Sequence, residues 1–316
     1  MKNNTHLYKF YSILIISLVI ILTVLIIYFE KFSSILGNNL LSIVVAIIYP
    51  GIAIPFLVLI IFRHVLRTPA SLTLSLLGQP QSGKTVYLTV LFRELLVKGE
   101  LPGFSIYGAE TVERVQSDYK QLEDSQWLPS TDMMGSNVFF YRATVNYDNI
   151  IPKPKYKLEI SDYAGEFLEK ELLENEGYFH RTKYFKYVID SDIIFPTIDL
   201  EKYATEERKY IIEIEKTLIA ALDIIKQSKI NKGKCKVPIG ILFLKSDKLN
   251  TMRESTEEIT QGFNNLINYV NKHFLSYKIF FVSAISPRLL EVDWGKNISP
   301  ENVVQPVEWA LQVVRR

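Results

Sequence analysis

Residues 69–316 alternate between short apolar runs and longer stretches that carry one apolar face. This alternation is typical of βα units that form a mostly parallel sheet. The predicted strands are 71–78, 137–147, 155–161, 191–200, 237–247 and 278–284, and the predicted helices are 84–99, 109–127, 206–227, 255–274 and 300–316. We therefore predict one three-layer α/β/α domain over 69–316.

The most apolar part of the chain precedes this domain. Residues 11–28 and 40–62 contain no charged side chain, and each run approaches or exceeds the ~20 residues that a helix needs to cross a membrane. A cleaved signal peptide is the alternative for the first run, but no small-residue cleavage site follows it and a second apolar run does. We predict that residues 1–68 are an N-terminal membrane anchor in which two transmembrane helices form a hairpin.

The charges that flank the two runs indicate the orientation of this anchor. Lys2 and Lys9 precede the first run, and Arg63 and Arg67 follow the second. Because positive residues favour the cytoplasmic side, both ends of the hairpin should face the cytoplasm. The prediction is a multi-pass protein of the cell membrane whose N-terminus and α/β domain face the cytoplasm.

The stretch SLLGQPQSGKTVYL has the spacing of a phosphate-binding loop, because Gly78 is followed after four residues by Gly83, Lys84 and Thr85. It lies between a predicted strand and a predicted helix, as this motif requires. In such a loop backbone N–H groups surround the phosphates, Lys84 bridges the β- and γ-phosphates, and the Thr85 hydroxyl is a magnesium ligand. The predicted nucleotide-binding residues of this loop are Gly78, Gln81, Ser82, Gly83, Lys84, Thr85 and Val86.

A second motif, Asp-x-x-Gly, ends the strand predicted at 155–161 with Asp162 and Gly165. Downstream of a phosphate-binding loop, Asp162 would hold magnesium through water. The Gly165 amide would contact the γ-phosphate and move when that phosphate leaves. Alone, the tetrapeptide is more often a plain turn.

Two further pairs of residues indicate recognition of the base of a nucleotide. Lys245 and Asp247 follow a predicted strand, at a spacing that lets the carboxylate accept the guanine N1–H and amine while the lysine stem lies over the base. Ser283 and Ala284 end the last predicted strand, where a backbone amide would meet the guanine O6. An exposed Lys/Asp turn is the alternative for the first pair.

In this order, the motifs resemble those of the Ras-like, translation-factor-related (TRAFAC) class of P-loop GTPases over nearly all of 71–316. The resemblance implies a Ras-like domain that binds GTP or GDP with Mg²⁺. Compared with a minimal small GTPase, it also implies an inserted helical segment at about 99–130. It also implies a threonine that closes on magnesium and the γ-phosphate, for which WLPSTDMMGS offers Thr131, with Ser130 as a less favoured substitute. The sequence around Thr131 looks like that of prokaryotic membrane-associated GTPases described as TRAFAC-clade or double-GTPase domains.

Two residues depart from the family pattern. Leu244 stands where the family has Asn or Thr, a side chain that ties the base-recognition loop to the phosphate-binding loop. Glu166 stands where efficient hydrolysers of the Ras type have a Gln that orients the attacking water. We expect weaker guanine affinity from the first change. From the second we expect slow or partner-dependent hydrolysis, in which Lys84, Thr131, Gly165 and Glu166 are the candidate catalytic residues.

The composition narrows the class of partner. The 36 Lys and Arg residues against 34 Asp and Glu residues leave a net charge of only +2, which disfavours nucleic acid as a partner. The single cysteine, Cys235, permits no internal disulfide. We predict a membrane-anchored, GTP-dependent switch with an effector or activating partner that the sequence does not identify, and we leave a homo-oligomer open. The alternatives are a membrane-associated ATPase and a non-hydrolysing, nucleotide-bound scaffold.

Overall fold

A computed structural model describes residues 70–99, 101, 103–129, 139–146, 155–162, 183–229, 233–252, 254–285, 295 and 298–314. The described residues from 70 to 313 belong to one compact unit, Pro69–Val313. The predicted anchor, with its spans at 11–28 and 40–62, lies outside the described residues. Within the described part of the chain, no helix combines the length and apolar character that a membrane crossing requires.

The strands of this unit are β1 (Ala70–Leu77), β2 (Ser105–Ile106), β3 (Phe139–Asn146), β4 (Lys155–Asp162), β5 (Ile193–Asp199), β6 (Ile239–Leu244) and β7 (Tyr277–Val282). The helices are α1 (Lys84–Lys98), α2 (Ala109–Glu123), α3 (Lys183–Asp190), α4 (Leu200–Lys229), α5 (Leu249–Met252), α6 (Thr256–Gly262), α7 (Asn264–His273) and α8 (Gln305–Val314). A 3₁₀ turn, Ser246–Lys248, follows β6.

The described strands form one seven-stranded sheet in the order β2-β3-β4-β1-β5-β6-β7. The pairs β1·β4, β1·β5, β5·β6 and β6·β7 are parallel, whereas β2·β3 and β3·β4 are antiparallel. Every residue of β5 and β6 is buried, which is typical of central parallel strands covered by helices on both faces. The prediction of a mostly parallel α/β sheet is therefore confirmed.

The strand order places the predicted site residues at one edge of the sheet. Strand β1 lies between β4 and β5, so the chain leaves β1 at a point where neighbouring connections diverge. Ligands of open α/β sheets bind outside the carboxyl ends of the strands at such points. The carboxyl ends of β1, β4, β5, β6 and β7 all meet at this edge, which we call the carboxyl edge.

A large apolar core lies between the sheet and helices α4, α6 and α7. Phe263 is fully buried there, and its ring contacts those of Tyr203 and Phe243, with centroids 5.8 and 5.3 Å away. On α8, Trp309 packs against Phe195 and Phe280 of the sheet. These contacts fix the helices against the strands whose ends carry the predicted motifs.

Several element boundaries differ from the sequence prediction. The helix predicted at 255–274 is two helices, α6 and α7, which meet at the buried Phe263. Helix α4 begins at Leu200 rather than at 206, because the Asp199 carboxylate accepts hydrogen bonds from the N–H groups of Glu201 and Lys202. The far end of α4 is held at the opposite edge of the sheet, where Lys229 Nζ donates to the Ser191 carbonyl at 2.6 Å.

The short strand β2 and the 3₁₀ turn were not predicted. The last three residues of the strand predicted at 237–247 leave β6, and two of them lie in that turn. The inserted segment at about 99–130 contains β2 and α2. Helix α2 is joined to β3, because the Arg142 N–H donates to the Thr111 hydroxyl at 3.3 Å.

Candidate functional site

The phosphate-binding loop connects β1 to α1 and has an unusual backbone. Gln81 and Gly83 both have positive φ angles, 60° and 89°, which lie in the left-handed region. Gly83 immediately precedes α1 and has no side chain to cap it, and the N-terminus of a helix is a favourable position for an anion. Ser82 is buried beside the loop, and Val86 follows within the first helical turn.

Lys84 is folded into this loop. Its ammonium donates to the Gly78 and Gln79 carbonyl oxygens at 3.1 and 2.7 Å, and to the Ser82 hydroxyl at 3.2 Å. The side chain is buried, so the positive charge is held at the centre of the loop. A phosphate at this position would meet both that charge and the partial positive charge of the helix N-terminus.

Gly78 is required by a close approach between neighbouring strands. A Cβ atom at this position would lie 1.9 Å from Thr197 Oγ1 and 2.9 Å from the Thr197 carbonyl oxygen on β5. The Thr197 hydroxyl itself donates to the Leu77 carbonyl at 3.3 Å and lies 3.4 Å from the Ser82 hydroxyl. The first glycine of the motif therefore lets the loop pack directly against β5.

The two predicted magnesium ligands described by the structure lie together. Asp162 is the last residue of β4, and its carboxylate accepts a 2.8 Å hydrogen bond from the Thr85 hydroxyl at the start of α1. Burial raises the pKa of Asp162, and the nearby positive charge of Lys84 and the Thr85 hydrogen bond oppose that effect. Bringing a hard cation close would favour the ionised carboxylate.

These two oxygen ligands fit magnesium. The ion commonly takes one or two protein oxygens and completes its shell with water and phosphate oxygens. Across the described residues there is no group of three or more His, Cys, Asp or Glu side chains that could hold a metal by themselves. Thr85 and Asp162 would hold the ion, which when bound neutralises charge on the phosphates.

The predicted base-recognition residues converge at the ends of β6 and β7. Asp247 lies in the 3₁₀ turn after β6, and its carboxylate accepts a 3.0 Å hydrogen bond from the Ser283 hydroxyl just after β7. Asp247 is buried, and this burial raises its pKa although the Ser283 bond opposes the rise. Ala284 follows Ser283 and is partly buried. The structure thus brings together the two pairs of residues that the sequence predicts for base recognition.

Lys245 occupies the left-handed region, with a φ of 60°, between β6 and that turn. Its Nζ contacts Asp199 Oδ2 at 2.8 Å and Glu201 Oε2 at 2.9 Å. Burial disfavours the charge of Lys245, but the two carboxylates outweigh it and raise the pKa of the lysine. The Lys245 stem lies close to the phosphate-binding loop, because a Cβ on Gly83 would be 3.6 Å from Lys245 Cε.

Sequence reasoning missed Asp199 and Glu201. The sequence carries no signal that joins them to Lys245. Their proximity comes from the register of the sheet, in which Asp199 at the end of β5 lies opposite Leu244 at the end of β6. Arg114 of α2 was also missed. Its Nε donates to Asp118 at 2.6 Å, and its guanidinium lies 5.7 Å from the centroid of the Phe139 ring.

Arg114 lies near the metal end of the site, because Phe139 pairs with Asp162 across β3 and β4. The positive charge of Arg114 also opposes the effect of burial on the pKa of Asp162. This placement depends on how α2 packs, which no spacing in the sequence reveals. Three other predicted residues, Thr131, Gly165 and Glu166, lie outside the described residues, so their roles stay predictions.

No protein-family model matches the chain, and no curated protein matches it significantly. Solved structures do resemble it. The Arl6 BBS3 small GTPase of Trypanosoma brucei, with the bound nucleotide analogue GppNp, has 13% sequence identity and a TM-score of 0.41, over 78% of this chain and 99% of that one. The Ski7 GTPase-like domain of S. cerevisiae, bound to GDP and inorganic phosphate, has 17% identity and a TM-score of 0.37, over 71% of this chain and 45% of that one.

A third similar structure is translation elongation factor SelB of Methanococcus maripaludis, in complex with the GTP analogue GppNHp. It has 13% identity and a TM-score of 0.38, over 78% of this chain and 34% of that one. The chain therefore spans less than half the length of the Ski7 and SelB chains. The seven-stranded mixed sheet, the flanking helices and the phosphate-binding loop of the molecule itself fit a P-loop α/β domain.

Proposed function

We propose that the chain is a membrane-anchored GTP-binding protein that acts as a nucleotide-dependent switch on the cytoplasmic face and hydrolyses GTP slowly. Residues 1–68 serve as the anchor, with spans at about 11–28 and 40–62, and residues 69–316 are the GTPase domain. The uncharged runs and the flanking positive residues of the sequence support the anchor and its orientation.

One observation carries the nucleotide assignment. The phosphate-binding loop, the Thr85–Asp162 pair and the Asp247–Ser283 pair all lie at the carboxyl edge of one sheet. A nucleotide triphosphate needs these three elements: a positive cradle for phosphates, oxygen ligands for magnesium, and a polar site for the base. Each motif is weak alone, but their convergence supports a nucleotide that spans the edge from β4 to β7.

The preference for guanine rests on Asp247. A carboxylate accepts two hydrogen bonds, and guanine presents two adjacent donors, its N1–H and its exocyclic amine. Adenine presents an acceptor at N1, so it would leave the carboxylate poorly satisfied. A buried polar group left without its partner discriminates strongly against the wrong ligand.

Slow hydrolysis follows from Glu166, which remains a prediction from the sequence. A second negative charge near the γ-phosphate would repel the attacking species, so activity should depend on a partner. Lys84 and the N–H groups of the phosphate-binding loop would stabilise the developing phosphate charge. Thr131 and the segment from Asp162 to Glu166 are the proposed switch segments, and their movement would signal the bound nucleotide.

The decisive experiment is a binding titration of the full-length protein in detergent with GTP, GDP, XTP and ATP, with magnesium. The wild type should prefer guanine nucleotides. The Asp247→Asn variant should bind GTP at least about tenfold more weakly and gain affinity for XTP, because an amide can donate to the xanthine oxygen. Equal affinity for ATP and GTP, unchanged by the substitution, would refute the guanine assignment and favour an ATPase.

A separate measurement tests hydrolysis. Phosphate released from bound GTP should appear slowly with the protein alone, at rates like those of unstimulated switch GTPases, and Lys84→Ala should abolish it. Flotation with lipid vesicles tests the anchor: the full-length protein should float, and removal of residues 1–68 should leave the remaining domain at the bottom of the gradient. GTP that stays intact through a long incubation would instead support a scaffold.

A further inference from the structure

The last residue of β5 and the first residues of α4 connect two loops of the candidate site. Asp199 and Glu201 both contact the Lys245 ammonium, at 2.8 and 2.9 Å. Glu201 also lies 3.4 Å from the ammonium of Lys248. One short segment therefore holds both lysines of the base-recognition loop, which comprises residues Lys245–Lys248.

The same segment contacts the phosphate-binding loop. Lys202 Nζ donates to the Pro80 carbonyl oxygen at 3.3 Å. Residues 199–202, which we call the α4 bridge, thus contact the phosphate-binding loop through Lys202 and the base-recognition loop through the two carboxylates.

The Asp199 carboxylate is held firmly enough to fix the position of the Lys245 ammonium. Its side chain is 1% exposed, its Oδ1 accepts from the Glu201 and Lys202 N–H groups, and its own N–H donates to the Tyr210 hydroxyl at 2.8 Å. A buried carboxylate fixed in this way has little freedom, so the lysine that it pairs with is fixed too. Glu201 is 50% exposed and should contribute less.

Leu244 explains why such a bridge is needed. It ends β6 directly opposite Asp199 and has no polar group to join the two loops. The left-handed φ of Lys245 is also a conformation that residues with side chains rarely adopt without support. If Lys245 were released, the turn that carries Asp247 would relax.

We propose that Asp199, assisted by Glu201, is a positioning residue for guanine recognition: it holds Lys245, and through it the turn bearing Asp247, and so replaces the tie that Leu244 cannot make. This inference rests on the proposed function. It assigns Asp199 no contact with the nucleotide. Asp199 acts on the base-recognition loop through Lys245, whereas the contact with the phosphate-binding loop is made by the Lys202 ammonium, so the loss of the Asp199 charge should weaken base binding more than phosphate binding.

The test compares GTP with inorganic tripolyphosphate, a ligand that has no base, in the full-length protein in detergent with magnesium. Asp199→Asn keeps an oxygen acceptor at the start of α4 but removes the charge that holds Lys245. It should weaken GTP binding about 10- to 100-fold, the loss of a charge-assisted bond, and change tripolyphosphate binding by less than about threefold. Glu206→Gln, the same kind of change at an exposed position of α4, is the matched control and should change neither.

Two further variants keep the test decisive if Asp199→Asn folds poorly. Lys245→Met should reproduce the selective loss of GTP affinity, and adding Asp199→Asn to it should cause no further loss, because Asp199 acts through Lys245. Glu201 is the more exposed of the two carboxylates that contact Lys245, so Glu201→Gln should weaken GTP binding only about two- to fivefold.

Each outcome has a distinct meaning. Equal losses for GTP and tripolyphosphate would overturn the inference, because they would indicate general damage to the site. Unchanged GTP binding in Asp199→Asn, or additive effects of Asp199→Asn and Lys245→Met, would also overturn it. Failure of the wild type to bind any guanine nucleotide would refute the proposed function itself, and the inference with it.

Discussion

Replacing Gly78 with alanine should destabilise the domain through one defined clash. The new methyl carbon would lie 1.9 Å from Thr197 Oγ1, 2.9 Å from the Thr197 carbonyl oxygen and 3.2 Å from Thr197 Cβ. The hydroxyl could rotate away, but it would lose its hydrogen bond to the Leu77 carbonyl. The carbonyl oxygen belongs to β5 and can move only with the strand.

The expected magnitude combines three effects. Overpacking of a tightly packed interior costs about 1–3 kcal/mol, and the lost hydrogen bond adds about 1 kcal/mol. The reduced freedom of the unfolded alanine chain returns at most about 1 kcal/mol. The free energy of unfolding should therefore fall by about 1–4 kcal/mol, and Tm by about 2–16 °C for a domain of this size.

Thermal and denaturant unfolding would measure this change, with Gly262→Ala as the control. A methyl on Gly262, the last residue of α6, would make only ordinary contacts, 3.8 Å from Ile211 Cδ1 and 3.9 Å from the Tyr203 hydroxyl. That substitution should be neutral or stabilise the domain by up to about 1 kcal/mol.

A second substitution tests the mechanism. Thr197→Ala removes the atom at 1.9 Å but leaves the carbonyl oxygen, so Gly78→Ala combined with Thr197→Ala should be more stable than the sum of the single changes predicts. Strict additivity, or a Gly78→Ala protein as stable as the wild type, would show that the contact between Gly78 and Thr197 does not limit the packing.

Three other predictions concern metal, pH and the core. Thr85→Ala should abolish the increase in GTP affinity that magnesium gives, measured by titration with magnesium and with EDTA; a full magnesium effect would contradict the assignment. Because burial raises the pKa of Asp247 and guanine needs its ionised form, GTP affinity should fall with decreasing pH, starting above the pH expected for an ordinary aspartate; Asp247→Asn should lack this step. Phe263→Ala should lower the free energy of unfolding by about 3–5 kcal/mol in denaturant titrations, and a loss below about 1 kcal/mol would refute its role in the core.

The sequence predicted the parts of this molecule that local chemistry determines. The buried strands β5 and β6 appear as apolar runs, and the phosphate-binding loop has fixed spacing. Thr85 lies near Asp162 because Thr85 follows the loop that leaves β1, and Asp162 ends β4, the parallel neighbour of β1. Motif order and strand ends were therefore sufficient for most of the candidate site.

What the sequence did not predict depends on tertiary packing. Residues 255–274 look like one amphipathic helix, but burial of Phe263 between Tyr203 and Phe243 divides it into two. The early start of α4 was missed because residues 191–200 were assigned to a strand, although Asp199 is a favourable residue to precede a helix. The pairing of Lys245 with Asp199 joins residues far apart in the chain, and only the sheet register brings them together.

Helix α4 gives the molecule a stiff lever. With 30 residues, it is about 45 Å long at a rise of 1.5 Å per residue. One end carries the α4 bridge at the carboxyl edge, and the other is held at Ser191, just before β5 begins. If the near end served as a pivot, a tilt of only about 3° would displace the far end by about 2 Å over that length. A small displacement at the carboxyl edge would in this way become a larger displacement at the opposite edge of the sheet. A partner bound at that opposite edge would respond to the nucleotide without contacting it.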